Sequence, residues 1–426
     1  MNENRQLQFS LDMPAKSMYA FLKWVVAINI FFLIGTWLQA EKVIFPNSET
    51  AQWLLVELTL AKENVAAAWY SSMLLFTVGL AAAICFWADV QYGANTKWRI
   101  LNYGWIAMAL LFAMLSFDEM GSFHEMIGKT SLFMKAGKGI GGGRYFLYAI
   151  ILAVAIFMVA FFLLKFKNNK LPLVLTIIGV LFFVSNPVQE RFEINSWKHS
   201  PDPNNWHRPV FYLLLEEGTE VFASFCFLFS FIAYAINAVP AKNGAVQLKA
   251  AAGNKIIVWV ALLACMLGLM MWVIRMNAWN IPGDDSGVPQ DWPPSVTAFA
   301  CFVAAVYLYF KKELAGNRFV YLFVALVALF ASAYFASFMY GYHEGPFRKM
   351  RHIMLAFTAV AALFAVLKLK GIAAKVLFAA WAGLMLFSFF SEDFPATMHG
   401  YAAFACLLLG LFLHHAAMGN AANRQQ

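Results

Sequence analysis

Two short runs of ionisable residues interrupt an otherwise apolar chain, and their spacing sets the chemistry open to it. The first, Ser116-Phe117-Asp118-Glu119-Met120-Gly121-Ser122-Phe123-His124-Glu125, closes an apolar stretch. If a helix continues through it, 100° per residue puts Ser122 about 40° and Glu125 about 20° from Asp118, a ligand-like stripe flanked by Glu119. His124 falls roughly 120° away and joins the stripe only if Gly121 breaks the helix. The second run, Glu216, Glu217 and Glu220, lies inside a later apolar stretch, its carboxylates sharing an arc of about 100° on one helical face. Read as one site, the runs offer Asp118, Glu125, Glu216, Glu217 and Glu220 as metal ligands, with Glu119 or His124 as general base. Oxygen donors of this kind suit Mg²⁺, Mn²⁺ or Ca²⁺, and a histidine extends the choice to Zn²⁺ or Fe²⁺. Such a cation activates a water or polarises a phosphoryl or carbonyl oxygen.

Missing motifs narrow the chemistry. His124-Glu125 is followed by Met126, Ile127 and Gly128, so there is no His-Glu-x-x-His helix, and neither a Glu-x-x-His pair nor a Gly-x-Ser-x-Gly elbow occurs. The alternative for the first run is a solvated helix end, and for the second, salt bridging to Arg191, Lys198 or Arg208 in the preceding loop. The glycine-rich stretch from Lys135 to Arg144, including Lys138, offers an anion-binding lip or a plain connector. Arg348 and Arg351 are further candidates for an anionic headgroup. His414 and His415 are expected to be chemically idle at the last apolar run's end.

The elements that must position these groups are membrane helices. At 426 residues, 62% hydrophobic and 13% charged, the composition lies far outside that of soluble domains. All five cysteines fall in apolar runs, unlike a disulfide scaffold. Runs near 18–40, 66–88, 100–118, 144–165, 171–188, 209–238, 255–277, 293–310, 318–342, 350–369, 371–390 and 398–416 predict an all-α polytopic protein of about twelve transmembrane helices. The half-apolar stretch Ala51 to Asn64 reads as an interfacial helix or an early start of the second span. With both termini cytoplasmic, the short inner segments are basic, Lys165 among them, and only Glu3, Asp12, Asp89 and Glu313 of the 23 acidic residues stay inside. The acidic chemistry therefore faces outward, which excludes a nucleic-acid partner there and places the protein in a plasma membrane. The expected organisation is a cytoplasmic segment 1–17, a first six-helix half 18–238 carrying the site, a second half 255–416 and a tail 417–426. Matching His-Glu pairs after the third and ninth runs, His124-Glu125 and His343-Glu344, leave an internal repeat open.

The block Glu63-Asn64-Val65-Ala66-Ala67-Ala68-Trp69-Tyr70-Ser71-Ser72, then Leu115-Ser116-Phe117-Asp118-Glu119 with His124-Glu125, then Glu216-Glu217-Gly218-Thr219-Glu220, resembles an uncharacterised bacterial multi-pass membrane family. The likeness covers roughly 60 to 230, departs at Phe117 and Ser224, and implies no reaction. It adds Glu63 and Asn64 to the polar set at the outer face, where they would contact substrate together with Lys138, Arg144, Arg348 and Arg351. The leading expectation is a metal-dependent, membrane-embedded hydrolase or transferase acting on a lipid or lipid-linked anionic substrate. A proton- or cation-coupled secondary transporter is the alternative, and a non-catalytic assembly or sensor protein the third. The inner halves of the spans carry few ionisable residues, an argument for a one-sided site.

Overall fold

Long apolar runs with satisfied internal hydrogen bonds become helices, and a computed structural model of the chain shows where each begins and ends. It describes residues 8–41, 49–62, 65–92, 99–121, 143–199, 208–238, 241–242, 245–251, 292–310, 318–337, 358, 360, 372–390, 401–411 and 413–414. The helices are α1 (Ala15–Ala40), α2 (Glu49–Glu57), α3 (Ala66–Tyr92), α4 (Arg99–Gly121), α5 (Gly143–Lys165), α6 (Lys170–Lys198) and α7 (Val210–Ala238). After them come α8 (Trp292–Phe310), α9 (Arg318–Ser337), α10 (Ile372–Phe390) and α11 (Tyr401–Leu411). Five of these, α1, α3, α4, α6 and α7, are long and apolar enough to cross a membrane. The expected spans 255–277 and 350–369 lie wholly or largely outside the described residues.

Two segments that sequence reading left without structure, Gln8–Pro14 (β1) and the hairpin Ala241–Lys242 (β2) with Ala245–Ala251 (β3), form a small sheet of order β1-β3-β2. The hairpin is antiparallel, with Ala241 opposite Val246. The sixth apolar run, expected at 209–238, is α7 almost to the residue. The fifth is longer than expected. Its helix α6 continues past Pro187 to Lys198, so Arg191 and Lys198 are helical rather than part of a loop.

The chain divides into two compact units, Leu11–Leu248 and Met1–Ser10 with Lys249–Gln426. In the first, α3 packs on α4 and α7, α6 on α7, and α1 on α7. Lipid is as apolar as leucine, so such helices are held by close packing and hydrogen bonds rather than by burial of apolar surface. Small residues on α3, among them Ala67, Ala68, Ser71, Ala81 and Ala82, let its neighbours approach. At Gly79 an added Cβ would lie 3.0 Å from the Ala109 carbonyl oxygen of α4. Ser72 Oγ donates to the Ser116 carbonyl at 2.6 Å across the same interface. Asn29 of α1 donates to the Val221 carbonyl of α7 at 3.2 Å and accepts from Tyr70 of α3 at 2.5 Å, tying three helices. Between the ends sits an aromatic layer of fully buried Trp105, Phe112, Phe162, Phe227 and Phe231.

The stretch expected at the interface, Ala51 to Asn64, holds α2, and its Glu57 caps the next helix by accepting from the Ala66 amide at 2.9 Å. The chain then passes α1 closely: a Cβ added at Gly35 would sit 2.6 Å from Leu58 Cβ and 2.9 Å from its carbonyl oxygen. Gly35→Ala should therefore cost about 1–3 kcal/mol. A lowered thermal midpoint in detergent, with no change for the lipid-facing Ile34→Ala, is the expected result; Ile34 is 50% exposed.

In the second unit α8 and α9 form a hairpin. Ser295 Oγ donates to the Ser332 carbonyl at 2.7 Å, and Cys301 Sγ to that of Phe404 at 3.2 Å. His414, at the end of the last apolar run, is fully buried, its Nε2 2.6 Å from the Tyr321 hydroxyl.

Candidate functional site

The last turn of α4 carries Asp118 and Glu119, and the first turns of α7 carry Glu216, Glu217 and Glu220. The two acidic runs do converge. Glu119 lies close enough to Glu217 and Glu220 for the three carboxylates to interact electrostatically. Their partners come from α6. Asn186 Nδ2 donates to Glu220 Oε1 at 2.7 Å, and Thr219 Oγ1 lies 2.7 Å from Asn186 Oδ1. Gln189 Nε2 donates to Ser185 Oγ at 2.8 Å and to Thr219 Oγ1 at 3.3 Å, while its Oε1 is buried with no hydrogen-bond partner among the described residues. Pro187, one residue after Asn186, lacks the N–H that would close the helical turn there, so α6 bears its polar residues at a weakened point.

Glu216 takes the salt bridge expected as the alternative for this run. Arg208 binds it through Nη2 and binds Glu193 of α6 through the same nitrogen at 2.9 Å, with Nε 2.8 Å from Glu193 Oε1. Burial alone works against a charged guanidinium, and Glu216 with Glu193 outweighs it, raising the Arg208 pKa above its ordinary value. Among the cations near α7, Arg208 pairs with Glu216. Replacing Arg208 by Met leaves Glu193 and Glu216 facing one another. It should lower the thermal midpoint, and a further Glu216→Gln should recover part of the loss.

Among the described residues no three His, Cys, Asp or Glu side chains form a group that could hold a metal ion. Asp118 stands half-buried beside Glu119. His124, Glu125, Glu63, Asn64, Lys138, Arg348 and Arg351 lie outside the described residues, as does the side chain of Arg144. Asn186, Gln189 and Thr219 went unnoticed because neutral amides and hydroxyls barely change an apolar run. An Asn-Pro step inside a span was the available signal.

Far along the same helices is a second polar centre that the sequence did not announce. Asp89 of α3 and Lys165 of α5, expected as solvated charges of inner loops, form an ion pair of 2.6 Å with side chains only 6% and 11% exposed. Trp105 Nε1 donates to Asp89 Oδ2 and the Tyr234 hydroxyl to Oδ1, each at 2.7 Å. Lys165 also donates to Asn102 Oδ1 at 2.6 Å. Four helices, α3, α4, α5 and α7, meet at this pair. The pair buries an ionisable aspartate within two turns of the α3 end remote from Ser72.

No curated protein and no solved structure matches the chain. Residues 20–235 match a family described as a domain of unknown function (DUF8692), a span that takes in both polar centres and ends just short of the first unit's last residue. The chain belongs to that family.

Proposed function

We propose that the chain is a polytopic protein of a bacterial plasma membrane, with about twelve spans and cytoplasmic termini, whose carboxylate site faces outward and exchanges a cation, in the simplest case a proton, during coupled transport. One observation carries this reading: α7 joins the Glu217 and Glu220 carboxylates near one end to Tyr234, hydrogen-bonded to the buried Asp89–Lys165 pair, near the other. A carrier needs ionisable stations near both faces, separated by a seal in any one conformation, and the aromatic layer of Phe112, Phe162, Phe227 and Phe231 is such a seal. Three neighbouring carboxylates in an apolar bundle each cost on the order of 2.5–3.5 kcal/mol when charged, so a neutralising cation belongs among them.

The metal-dependent hydrolase or transferase is the second reading, favoured by Glu119 beside Glu217 and Glu220 with His124 and Glu125 soon after it in sequence. There a divalent ion would sit among these groups, and Lys138, Arg144, Arg348 and Arg351 would hold a lipid or lipid-linked anion. Elemental analysis and infrared spectroscopy on one purified sample decide between them. The transport reading expects background metal and a carboxylic-acid band that disappears in Glu220→Gln. Stoichiometric divalent metal with no such band would overturn it in favour of the enzyme.

A further inference from the structure

We infer that the second unit is a tandem copy of the first, repeating α3, α4, α6 and α7 as α8, α9, α10 and α11 in unchanged register. The pattern of burial carries the inference, helix by helix. Buried Ser72, Leu75, Val78, Ala82 and Cys85 of α3 are matched, at identical spacing, by buried Ser295, Ala298, Cys301, Ala305 and Leu308 of α8. On α4, buried Trp105, Met108, Phe112 and Ser116 correspond in the same way to Tyr321, Val324, Ala328 and Ser332 of α9. The exposed face repeats too: Tyr103, Ile106, Leu110 and Met114 return as Phe319, Leu322, Leu326 and Phe330. Buried Pro172, Thr176 and Gly179 of α6 return as Ala374, Phe378 and Trp381 of α10, with exposed Val174 as Val376. Val221, Ser224, Phe227, Phe231 and Tyr234 of α7 return as Tyr401, Phe404, Leu407, Leu411 and His414.

Contacts repeat as well as faces, which a shared helical period alone would not produce. The Ser72–Ser116 hydroxyls, 3.0 Å apart, have their counterpart in Ser295–Ser332 at 3.2 Å. Thr176 and Ser230 touch at 2.7 Å between α6 and α7, and at the matching positions a Cβ on Gly410 would lie 3.1 Å from Phe378 Cδ2. The Trp105 and Tyr234 rings lie 5.3 Å apart and tilted by 37°, and their counterparts Tyr321 and His414 lie 6.0 Å apart and tilted by 38°. Each unit thus keeps a buried aromatic-polar pair at the same level of its frame.

The correspondence also shows what was not copied. By the same register Glu119 falls on Phe335, Glu217 on Thr397 and Glu220 on Gly400. The carboxylate site is a property of the first copy alone, and the family match ends with that copy.

Two measurements on the full-length protein, with its five cysteines replaced, test the duplication. Because an even number of expected spans separates the copies, single cysteines at Ala94 and Ala315, between the paired helices of each hairpin, should react with a membrane-impermeant maleimide from the same side. Labelling from opposite sides would overturn a copy in the same orientation. The double variants Thr176→Cys with Ser230→Cys, and Phe378→Cys with Gly410→Cys, should both cross-link on mild oxidation, whereas Ala380→Cys with Gly410→Cys should not. Cross-linking of the first pair without the second would overturn the shared register. The milder pairs Ser72→Cys with Ser116→Cys and Ser295→Cys with Ser332→Cys repeat the test if the larger changes prevent folding. Neither measurement depends on what the carboxylate site binds.

Discussion

Lys165→Met should lower stability by about 3–5 kcal/mol, because it leaves the Asp89 carboxylate buried with only neutral donors, Trp105 Nε1 and the Tyr234 hydroxyl, against its two oxygens. A charge removed from water is tolerable when a partner charge and hydrogen bonds meet it, and strongly destabilising when one partner is taken away. For a unit of this size the loss corresponds to a drop in thermal midpoint on the order of 10 °C. Adding Asp89→Asn removes the stranded charge and should recover much of the loss, the mark of a pair rather than of two independent residues. A midpoint unchanged by Lys165→Met would mean that this lysine reaches solvent at the helix end, as its sequence position implies. The effect should persist at high salt, since buried pairs are screened far less than exposed ones.

Glu220→Gln should leave the fold intact and abolish cation exchange. Glutamine keeps the oxygen that accepts from Asn186 Nδ2 and imitates the protonated acid, so no negative charge at this position can face Glu119 and Glu217. The thermal midpoint should hold or rise, proton exchange should fall to background, and metal content should not change. If metal and activity fell together instead, Glu220 would be a ligand and the enzyme reading would stand. A drop in midpoint with function spared would make Glu220 a structural partner of a cation. Wild-type behaviour in all three measurements would remove this cluster from the centre of the protein's function.

The class of protein and most helix positions were legible in the amino-acid sequence. Transfer of side chains into lipid is additive along a run, and a run long enough to span needs no distant partner to become a helix. That is why the sixth run matches α7 closely and why carboxylates inside it stood out. The approach of Glu119 to Glu217 and Glu220 was legible because the third apolar run ends, and the sixth begins, in acidic residues. What each carboxylate does was decided by tertiary contacts. Glu216 turned to Arg208, which also holds Glu193 on the part of α6 that continues past Pro187, and Glu220 turned to Asn186, just before that proline. Asp89 and Lys165 read as ordinary inner-loop charges because each sits near a helix end. Only the packing of α3, α4, α5 and α7 buries them together. The duplication left almost no trace in residue identity, since a lipid-facing or buried position demands a size and a polarity rather than a particular side chain. Serine stayed serine at Ser72 and Ser295, tryptophan became tyrosine between Trp105 and Tyr321, and the buried and exposed positions that mark each helix face were kept.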